Sequence, residues 1–166
     1  MKTYILDGYN VIYGVARLER ELDRSLQAAR EALVRECVAI CAARGDIGKI
    51  YVVFDGSDEC SFYGPAQTGG VVTVFTHSRE EADERIVSLL RECPRGHAVC
   101  VVSADNYVQN HARAFGVSYL KPQDFFALLT RQGTAPKTIR TGTEKAGLSN
   151  HQESNITAEY RRHLGL

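Results

Sequence analysis

Three acidic residues of this chain each follow a run of strand-forming residues. They are Asp7 after residues 2–6, Asp55 after residues 52–54, and Asp105 after residues 99–103. Ligands of open parallel α/β sheets bind in the crevice outside the carboxyl ends of the strands. We therefore expect three strands to deliver three carboxylates to one edge of one sheet.

A fourth acid, Asp83, lies on a predicted helix beside an apolar stripe. The stripe consists of Ala82, Ile86, Leu89 and Leu90. No basic residue follows Asp83 at the third or fourth position, where a helical ion pair would form. An acid that faces inward needs a partner, and the other acids can serve only if a cation lies among them.

Converging carboxylates without balancing Lys or Arg repel one another, and a divalent cation removes that repulsion. Oxygen-only ligands favour Mg²⁺ or Mn²⁺ over zinc. Such sites orient a water molecule and neutralise the phosphate during in-line displacement at a phosphodiester. Asn10 would add a neutral oxygen ligand or hold the scissile phosphate. Ser103 would hydrogen-bond an acid at its strand end.

Each of these residues also has a purely structural interpretation. An Asp after a strand often forms a turn or caps the next helix, and Asp105 beside Asn106 fits that description. Asn10 is then a turn residue, and Ser103 only ends its strand. Glu81 receives no chemical role, because a capping box with Ser78 at the N-cap accounts for it.

The elements that must position these acids alternate between strands and helices. Strands are predicted at residues 2–6, 49–54, 71–75, 97–103 and 117–120. Helices are predicted from Ser25 to a stop at Gly45, from Ser78 to Cys93, over 105–115, and from Pro122 onward. Residues 11–23 are left as a loop or short helix, and 55–70 as a long connection. This alternation predicts an α/β fold with a doubly wound, mainly parallel sheet flanked by helices.

A chain of 166 residues with 44% hydrophobic and 24% charged residues suits one globular domain. We place that domain at residues 1–130. Residues 131–166 are polar and partly basic, which predicts a solvated tail with a short terminal helix over 156–164. The formal net charge of zero argues against binding nucleic acid by bulk charge alone.

Several classes of protein are disfavoured by what the sequence lacks. It has no apolar run of about 20 residues and no signal peptide, so we expect a cytoplasmic protein without a membrane partner. Its five cysteines include no CxxC pair, which favours reduced thiols. Neither a Walker loop nor GxGxxG follows a predicted strand, so no nucleotide cofactor is expected.

Taken together, four motifs resemble one family. They are Asp7-Gly8-Tyr9-Asn10, Val53-Phe54-Asp55, Phe75-Thr76 leading into Ala82-Asp83-Glu84-Arg85-Ile86, and Ser103-Ala104-Asp105. Over residues 1–130 they resemble the YacP-like branch of the NYN domains, which are relatives of the PIN-domain nucleases. The resemblance implies a PIN-like fold and a Mg²⁺-dependent endoribonuclease. In the best-known bacterial member it implies cleavage of messenger RNA on the translating ribosome.

The resemblance also implies roles for individual residues. Asp7, Asp83 and Asp105 would be metal ligands, and Asn10 and Asp55 would complete the catalytic set. The predicted substrate contacts are Asn10, Ser103 and Arg85. RNA is the expected partner, with the ribosome as a second one, and Mg²⁺ or Mn²⁺ is the expected cofactor.

Two alternatives to a nuclease remain. One is a non-catalytic RNA or ribosome adaptor whose phosphate contacts come from Arg131, Lys137, Arg140, Lys145, Arg161 and Arg162. The other is a phosphohydrolase of the haloacid-dehalogenase type with Asp7 as nucleophile. That class requires a second Asp two residues later, where this chain has Tyr9, so it ranks last.

Overall fold

The computed structural model describes residues 1–56, 66–76, 81–93 and 98–130. Its strands are β1 (Lys2–Asp7), β2 (Ile47–Phe54), β3 (Ala66–Thr68), β4 (Val71–Phe75), β5 (Ala98–Val102) and β6 (Ser118–Leu120). Its helices are α1 (Gly8–Gly14), α2 (Ala16–Glu19), α3 (Leu26–Ala43), α4 (Ala82–Glu92), α5 (Asn106–Ala114) and α6 (Pro122–Thr130). A 3₁₀ turn, Arg20–Asp23, follows α2. The predicted tail over 131–166 and its terminal helix lie outside the described residues.

The six described strands form one sheet in the order β3-β4-β2-β1-β5-β6. β1 pairs in parallel with both β2 and β5, and only the short β3 runs antiparallel to its described neighbour. The predicted α/β fold with a mainly parallel sheet is confirmed. Because β2, β1 and β5 are adjacent, the acids at or just after their ends come from three neighbouring strands.

Side chains of β1 alternate between two hydrophobic clusters. Tyr4 and Leu6 pack on the face covered by α1, α2, α3 and α6. Ile5 packs on the opposite face, against residues of α4 and α5. This period of two along the strand, with both faces buried, is typical of a central strand in a helix-covered sheet. It fixes the register of β1 and therefore the position of Asp7 at its end.

Residues 11–23, which the sequence left open as a loop or short helix, are largely helical. The first helix, α1, begins before this segment. α1 begins at Gly8, directly after Asp7, so no turn or loop separates the end of β1 from the helix. A Cβ on Gly8 would lie 2.4 Å from ring carbons of Phe54 and 2.8 Å from the carbonyl oxygen of Val53. The residue is therefore a glycine because α1 starts in close contact with the end of β2.

The start of α4 also differs from the prediction. Ser78 lies outside the described residues, and Glu81, with extended backbone angles, is the N-cap of a helix that begins at Ala82. The capping-box prediction is wrong, because Glu81 is itself the N-cap and therefore does not occupy the third helical position. Asp83 and Glu84 consequently lie in the first turn of α4, where negative charge stabilises the helix dipole.

The long connection predicted over 55–70 contains a further strand. β3 forms a hairpin with β4 through Gly69 and Gly70, whose φ angles of 55° and 83° lie in the left-handed region. Such angles favour glycine at both turn positions. Residues 57–65 of this connection lie outside the described part of the chain.

Two expectations about composition can be compared with the described residues. Cys37, Cys41, Cys93 and Cys100 are free thiols, as predicted, and Cys60 lies outside the described residues. Within the described ranges, no helix is both long and apolar enough to cross a bilayer.

Candidate active site

Asp7 lies at the end of β1, where it is buried and caps α1. One carboxylate oxygen, Oδ1, accepts a hydrogen bond from the backbone N–H of Asn10 at 3.2 Å. The other, Oδ2, accepts one from the Ser103 hydroxyl at 3.2 Å. Burial raises the pKa of Asp7, and the charges of Asp105 and Asp55 raise it further, against the lowering effect of the two hydrogen bonds.

Ser103 connects Asp7 to Asp105. Its fully buried hydroxyl donates to Asp7 and accepts the backbone N–H of Asp105 at 3.0 Å. The carbonyl oxygen of Ser103 accepts a hydrogen bond from buried Gln109 at 3.0 Å. This burial fits a positioning role for Ser103 better than the predicted substrate contact. Gln109 carried no signal in the sequence, because a polar residue within a helix is usually exposed.

Asn10 holds the loop after β5 to the start of α1. Its side-chain oxygen accepts a hydrogen bond from the backbone N–H of Ala104 at 2.7 Å. Because a backbone N–H can only donate, the amide orientation is fixed and the NH₂ group is left for other contacts. Of the two roles predicted for Asn10, this geometry favours holding a phosphate over donating a metal-ligand oxygen.

Asp105 has the structural role that the sequence also allowed. It is the N-cap of α5, and its Oδ1 accepts hydrogen bonds from the backbone N–H groups of Tyr107 at 2.7 Å and Val108 at 3.3 Å. Among the described residues its Oδ2 has no hydrogen-bond donor. Capping therefore occupies one oxygen and leaves the other available as a ligand.

Asp55 is exposed at the end of β2 and is held by a residue of the neighbouring strand end. The hydroxyl of Thr76 donates to Asp55 Oδ1 at 3.1 Å and accepts the backbone N–H of Gly56 at 3.0 Å. Thr76 is buried, and its backbone N–H donates to the carbonyl of Phe54 at 3.0 Å. No sequence pattern singled out this threonine, although it lies within one of the family motifs.

Asp83 is half-buried in the first turn of α4, within electrostatic reach of the other acids. Burial, together with the charges of Asp7, Asp105, Glu81 and Asp55, raises its pKa to about 6. The helix dipole acts in the opposite direction, so burial and repulsion outweigh it. In the described part of the chain the Asp83 carboxylate has no hydrogen-bond or ion-pair partner.

Arg85, predicted to contact substrate, is directed along its own helix. Its guanidinium lies 3.7 Å from the carboxylate of Glu92, two turns further along α4. It is not among the charges that shift the pKa of Asp83. The structure thus brings Asp7, Asp55, Asp83 and Asp105 within electrostatic reach of one another and does not bring Arg85 to them.

A surface groove of about 960 Å³ lies elsewhere on the protein, between α2, α3 and α6. Val15, Ile40 and Phe126 line it, together with the ion pair of Arg17 and Glu36. None of the predicted site residues lines this groove. The strand-end acids lie instead at the carboxyl ends of the central strands β1, β2 and β5. This is where the switch-point rule for α/β sheets predicts a ligand site.

The family assignment follows from comparison of the whole chain with known families. The family model described as the YacP-like NYN domain matches residues 4–165. The chain belongs to this family. NYN domains are PIN-like in fold and generally nuclease-like in function, and they usually use a divalent metal.

Solved structures of a YacP protein share the fold of this chain. The crystal structure of Rae1 (YacP) from Bacillus subtilis, W164L mutant, has a TM-score of 0.65 at 23% identity, covering 78% of this chain and 75% of that one. The structure titled Rae1 (YacP) without the mutation has a TM-score of 0.62 at 20% identity, covering 99% of this chain and 83% of that one. No curated protein matches this chain significantly. At these identities the structures show that the YacP-like fold is shared.

The acids of this YacP-like domain suit the metal that such nucleases usually use. All four are oxygen donors, which Mg²⁺ and Mn²⁺ prefer, and Asp83 has no cationic partner in the described ranges. Among the described residues, however, no three acidic, histidine or cysteine side chains already lie close enough to hold one ion. Side-chain rotation at the strand ends and in the first turn of α4 would have to complete the site.

Proposed function

We propose that this protein is a metal-dependent endoribonuclease that cleaves single-stranded RNA, with messenger RNA on the translating ribosome as its substrate. Membership in the YacP-like NYN family supports ribonuclease-type chemistry. The observation that carries the proposal is the convergence of four carboxylates, at the end of β1, just after β2, at the start of α5 and in the first turn of α4. They lie close enough together for the other three to raise the pKa of Asp83.

Asp7, Asp83 and Asp105 would hold the cation, with Asp55 beside them. When bound, a divalent cation neutralises charge on the phosphate and makes a water molecule more acidic. Among the described residues no three of these acids lie close enough together to hold one ion. A cation between them would offset the mutual repulsion of their charges.

Three polar side chains near the acids would position the carboxylates or contact the substrate. Ser103 donates to Asp7 and accepts from the backbone of Asp105, which fixes the ends of β1 and β5 relative to each other. The amide nitrogen of Asn10, whose oxygen is taken by Ala104, donates to a non-bridging oxygen of the scissile phosphate. Thr76 orients Asp55 from the end of β4.

RNA cleavage by purified variants tests the proposal. End-labelled single-stranded RNA is incubated with the wild type, Asp7→Asn, Asp83→Asn and Glu84→Gln, with Mg²⁺, Mn²⁺ or EDTA, and also in a translating extract. Glu84 is a matched control because it is an exposed acid in the same helical turn as Asp83. We expect metal-dependent internal cleavage that falls about 100-fold or more in both Asp variants, which corresponds to about 3 kcal/mol.

The Glu84→Gln control tests whether the loss of cleavage is specific to the proposed ligands, and the translating extract tests dependence on the ribosome. Glu84→Gln retains cleavage, and EDTA abolishes it in the wild type. Cleavage that survives both Asp7→Asn and Asp83→Asn unchanged would exclude the proposed mechanism. Cleavage of free RNA at the same rate and positions as in the extract would exclude dependence on the ribosome.

A further inference from the structure

Tyr107 is an exposed aromatic residue beside the candidate active site. It lies in the first turn of α5, two residues after Asp105, and is 50% exposed. Its neighbour on the same helix face, His111, lies one turn further on, and the two ring centroids are 4.3 Å apart at an angle of 46°. The exposed part of the ring contributes little to the core and is available to contact a ligand.

Tyr107 is tied to the acids by a continuous series of hydrogen bonds. Its backbone N–H donates to Asp105 Oδ1 at 2.7 Å. The backbone N–H of Asp105 donates to Ser103, whose hydroxyl donates to Asp7. The position of the first turn of α5 is therefore set by the same contacts that set two of the proposed metal ligands.

The imidazole of His111 packs against the phenol ring of Tyr107. Its Nδ1 lies 3.0 Å from the backbone carbonyl oxygen of Tyr107, so that nitrogen carries the proton and donates to the carbonyl. This bond holds the imidazole against the phenol ring. A ring with one side packed and its backbone fixed loses little conformational entropy when a flat ligand stacks on it.

We propose that Tyr107, supported by His111, is a stacking platform for one unpaired nucleobase of the RNA adjacent to the scissile phosphate. The proposal rests on the proposed function, since the cation held by the acids, together with Asn10, would position the phosphate whose neighbouring base reaches Tyr107. Every nucleobase has a π-face, so an aromatic platform selects unpaired bases with little preference among them. It thereby selects single-stranded over paired RNA.

The absence of tryptophan from the chain allows a direct test. Tyr107→Trp introduces a single indole, whose fluorescence is quenched when a base stacks on it. The background is Asp83→Asn, which keeps the RNA uncut. Phe115→Trp in the same background is the matched control, because Phe115 is 43% exposed and lies at the opposite end of α5.

We expect a single-stranded oligoribonucleotide to quench the fluorescence of Tyr107→Trp and to leave that of Phe115→Trp unchanged. An abasic oligonucleotide of the same length, which has the phosphates without the bases, leaves the fluorescence of both variants unchanged. Three results would overturn the proposal: equal quenching of the two variants, quenching by the abasic strand, or unquenched Tyr107→Trp while filter binding shows bound RNA.

Kinetics separate this proposal from the proposed function. Tyr107→Ala is expected to raise KM for single-stranded RNA about 10-fold with little change in kcat. Tyr107→Phe, which keeps an aromatic ring, is expected to retain the wild-type KM. Phe115→Ala is expected to have no effect on KM. An unchanged KM in Tyr107→Ala would contradict the platform even if cleavage requires Asp7. Conversely, base-dependent quenching without any metal-dependent cleavage would retain the platform and reject the nuclease.

Discussion

Asp7 and Asp83 both have a raised pKa, but they differ in what opposes the shift. Two hydrogen bonds, from the backbone of Asn10 and the hydroxyl of Ser103, stabilise the charged form of Asp7. Asp83 has no such donor within the described residues, and four other carboxylates raise its pKa. Ionisation of Asp83 is therefore expected to destabilise the metal-free protein more than ionisation of Asp7 does.

Asp7→Asn is expected to stabilise the metal-free protein while it abolishes cleavage. In the Asp7→Asn variant the side-chain oxygen still accepts the N–H of Asn10, and the amide nitrogen donates to the Ser103 hydroxyl, which donated to Asp7. The change also removes a buried charge that Asp105 and Asp55 repel. Thermal unfolding in EDTA should show Tm raised by about 2–4 °C, the shift expected for 1 kcal/mol in a chain of this size. Asp46→Asn is the control, since Asp46 is paired with Arg44 and has a lowered pKa. A lower Tm for Asp7→Asn would contradict this account.

The stability of the metal-free protein is expected to fall as pH rises from about 4 to about 6. Folding raises the pKa of Asp83 from 3.8 to about 6, so in this range the folded state binds more protons than the unfolded state. Stability is then greatest below the unfolded pKa and is lost as pH rises through the folded one. Thermal unfolding in EDTA at several pH values measures the slope.

Asp83→Asn should flatten that slope, and Glu84→Gln, in the same turn, should leave it unchanged. Saturating Mg²⁺ should restore stability most strongly at the higher pH, because the cation binds the charged form. A slope of opposite sign, with stability rising between pH 4 and pH 6 in a way that depends on Asp83, would show that Asp83 has a stabilising partner instead of repelling neighbours.

At the scale of elements, the junction of β1 and α1 sets the position of Asp7. The strand ends at Asp7 and the helix begins at Gly8 with no intervening loop. The glycine lets the first turn of α1 approach Phe54 at the end of β2. Aromatic rings extend this packing. The ring centroid of Phe54 lies 5.3 Å from that of Tyr9 and 5.5 Å from that of Phe75.

Gly8→Ala is expected to destabilise the protein by about 1–3 kcal/mol, the usual cost of overpacking. Its added Cβ would lie 2.4 Å from the Phe54 ring, which outweighs the gain in helix propensity of about 1 kcal/mol. Gly45→Ala is the matched control, because no atom of the described residues lies within 4 Å of its Cβ position. Urea unfolding measures both, and equal stability of the two variants would contradict close packing at this junction.

The sequence predicted most of the elements and missed the contacts between them. Strand β4 and the position of Asp105 at the start of α5 followed from local patterns of β-branched residues and capping. The start of α1 at Gly8 was missed because a seven-residue helix with glycine at both ends has little helical signal of its own, and its buried residues Val11 and Ile12 are fixed by tertiary packing. The roles of Thr76 and Gln109 depend on hydrogen bonds to residues brought close only by folding, which no local pattern records.

At the scale of the whole molecule, charge is divided unevenly along the chain. Residues 131–166 contain six Lys and Arg against three Asp and Glu, so within a neutral chain residues 1–130 carry a net charge of −3. A domain with an acidic site and a negative charge repels RNA at long range. If the protein acts on RNA as proposed, the basic residues of 131–166 would supply the electrostatic attraction to its phosphates.

Replacing the six basic residues of 131–166 by glutamine is expected to raise KM for RNA and to leave kcat unchanged. The dependence of binding on salt should also weaken, since each lost contact with a phosphate of single-stranded RNA reduces the slope of log K against log salt by about 0.7. Filter binding from low to high salt measures this slope. A slope identical to that of the wild type would show that these residues do not contact RNA.

The convergence of Asp7, Asp83 and Asp105 on one cation is tested most directly by diffraction from crystals soaked in Mn²⁺, recorded for anomalous scattering. The account predicts one strong anomalous peak at the carboxyl ends of β1 and β5, within bonding distance of oxygens from all three residues. Asp83→Asn crystals should lose most of that peak. A Mn²⁺-soaked wild-type crystal with no peak among these acids, or with Asp83 directed away from Asp7 and Asp105, would contradict the central claim.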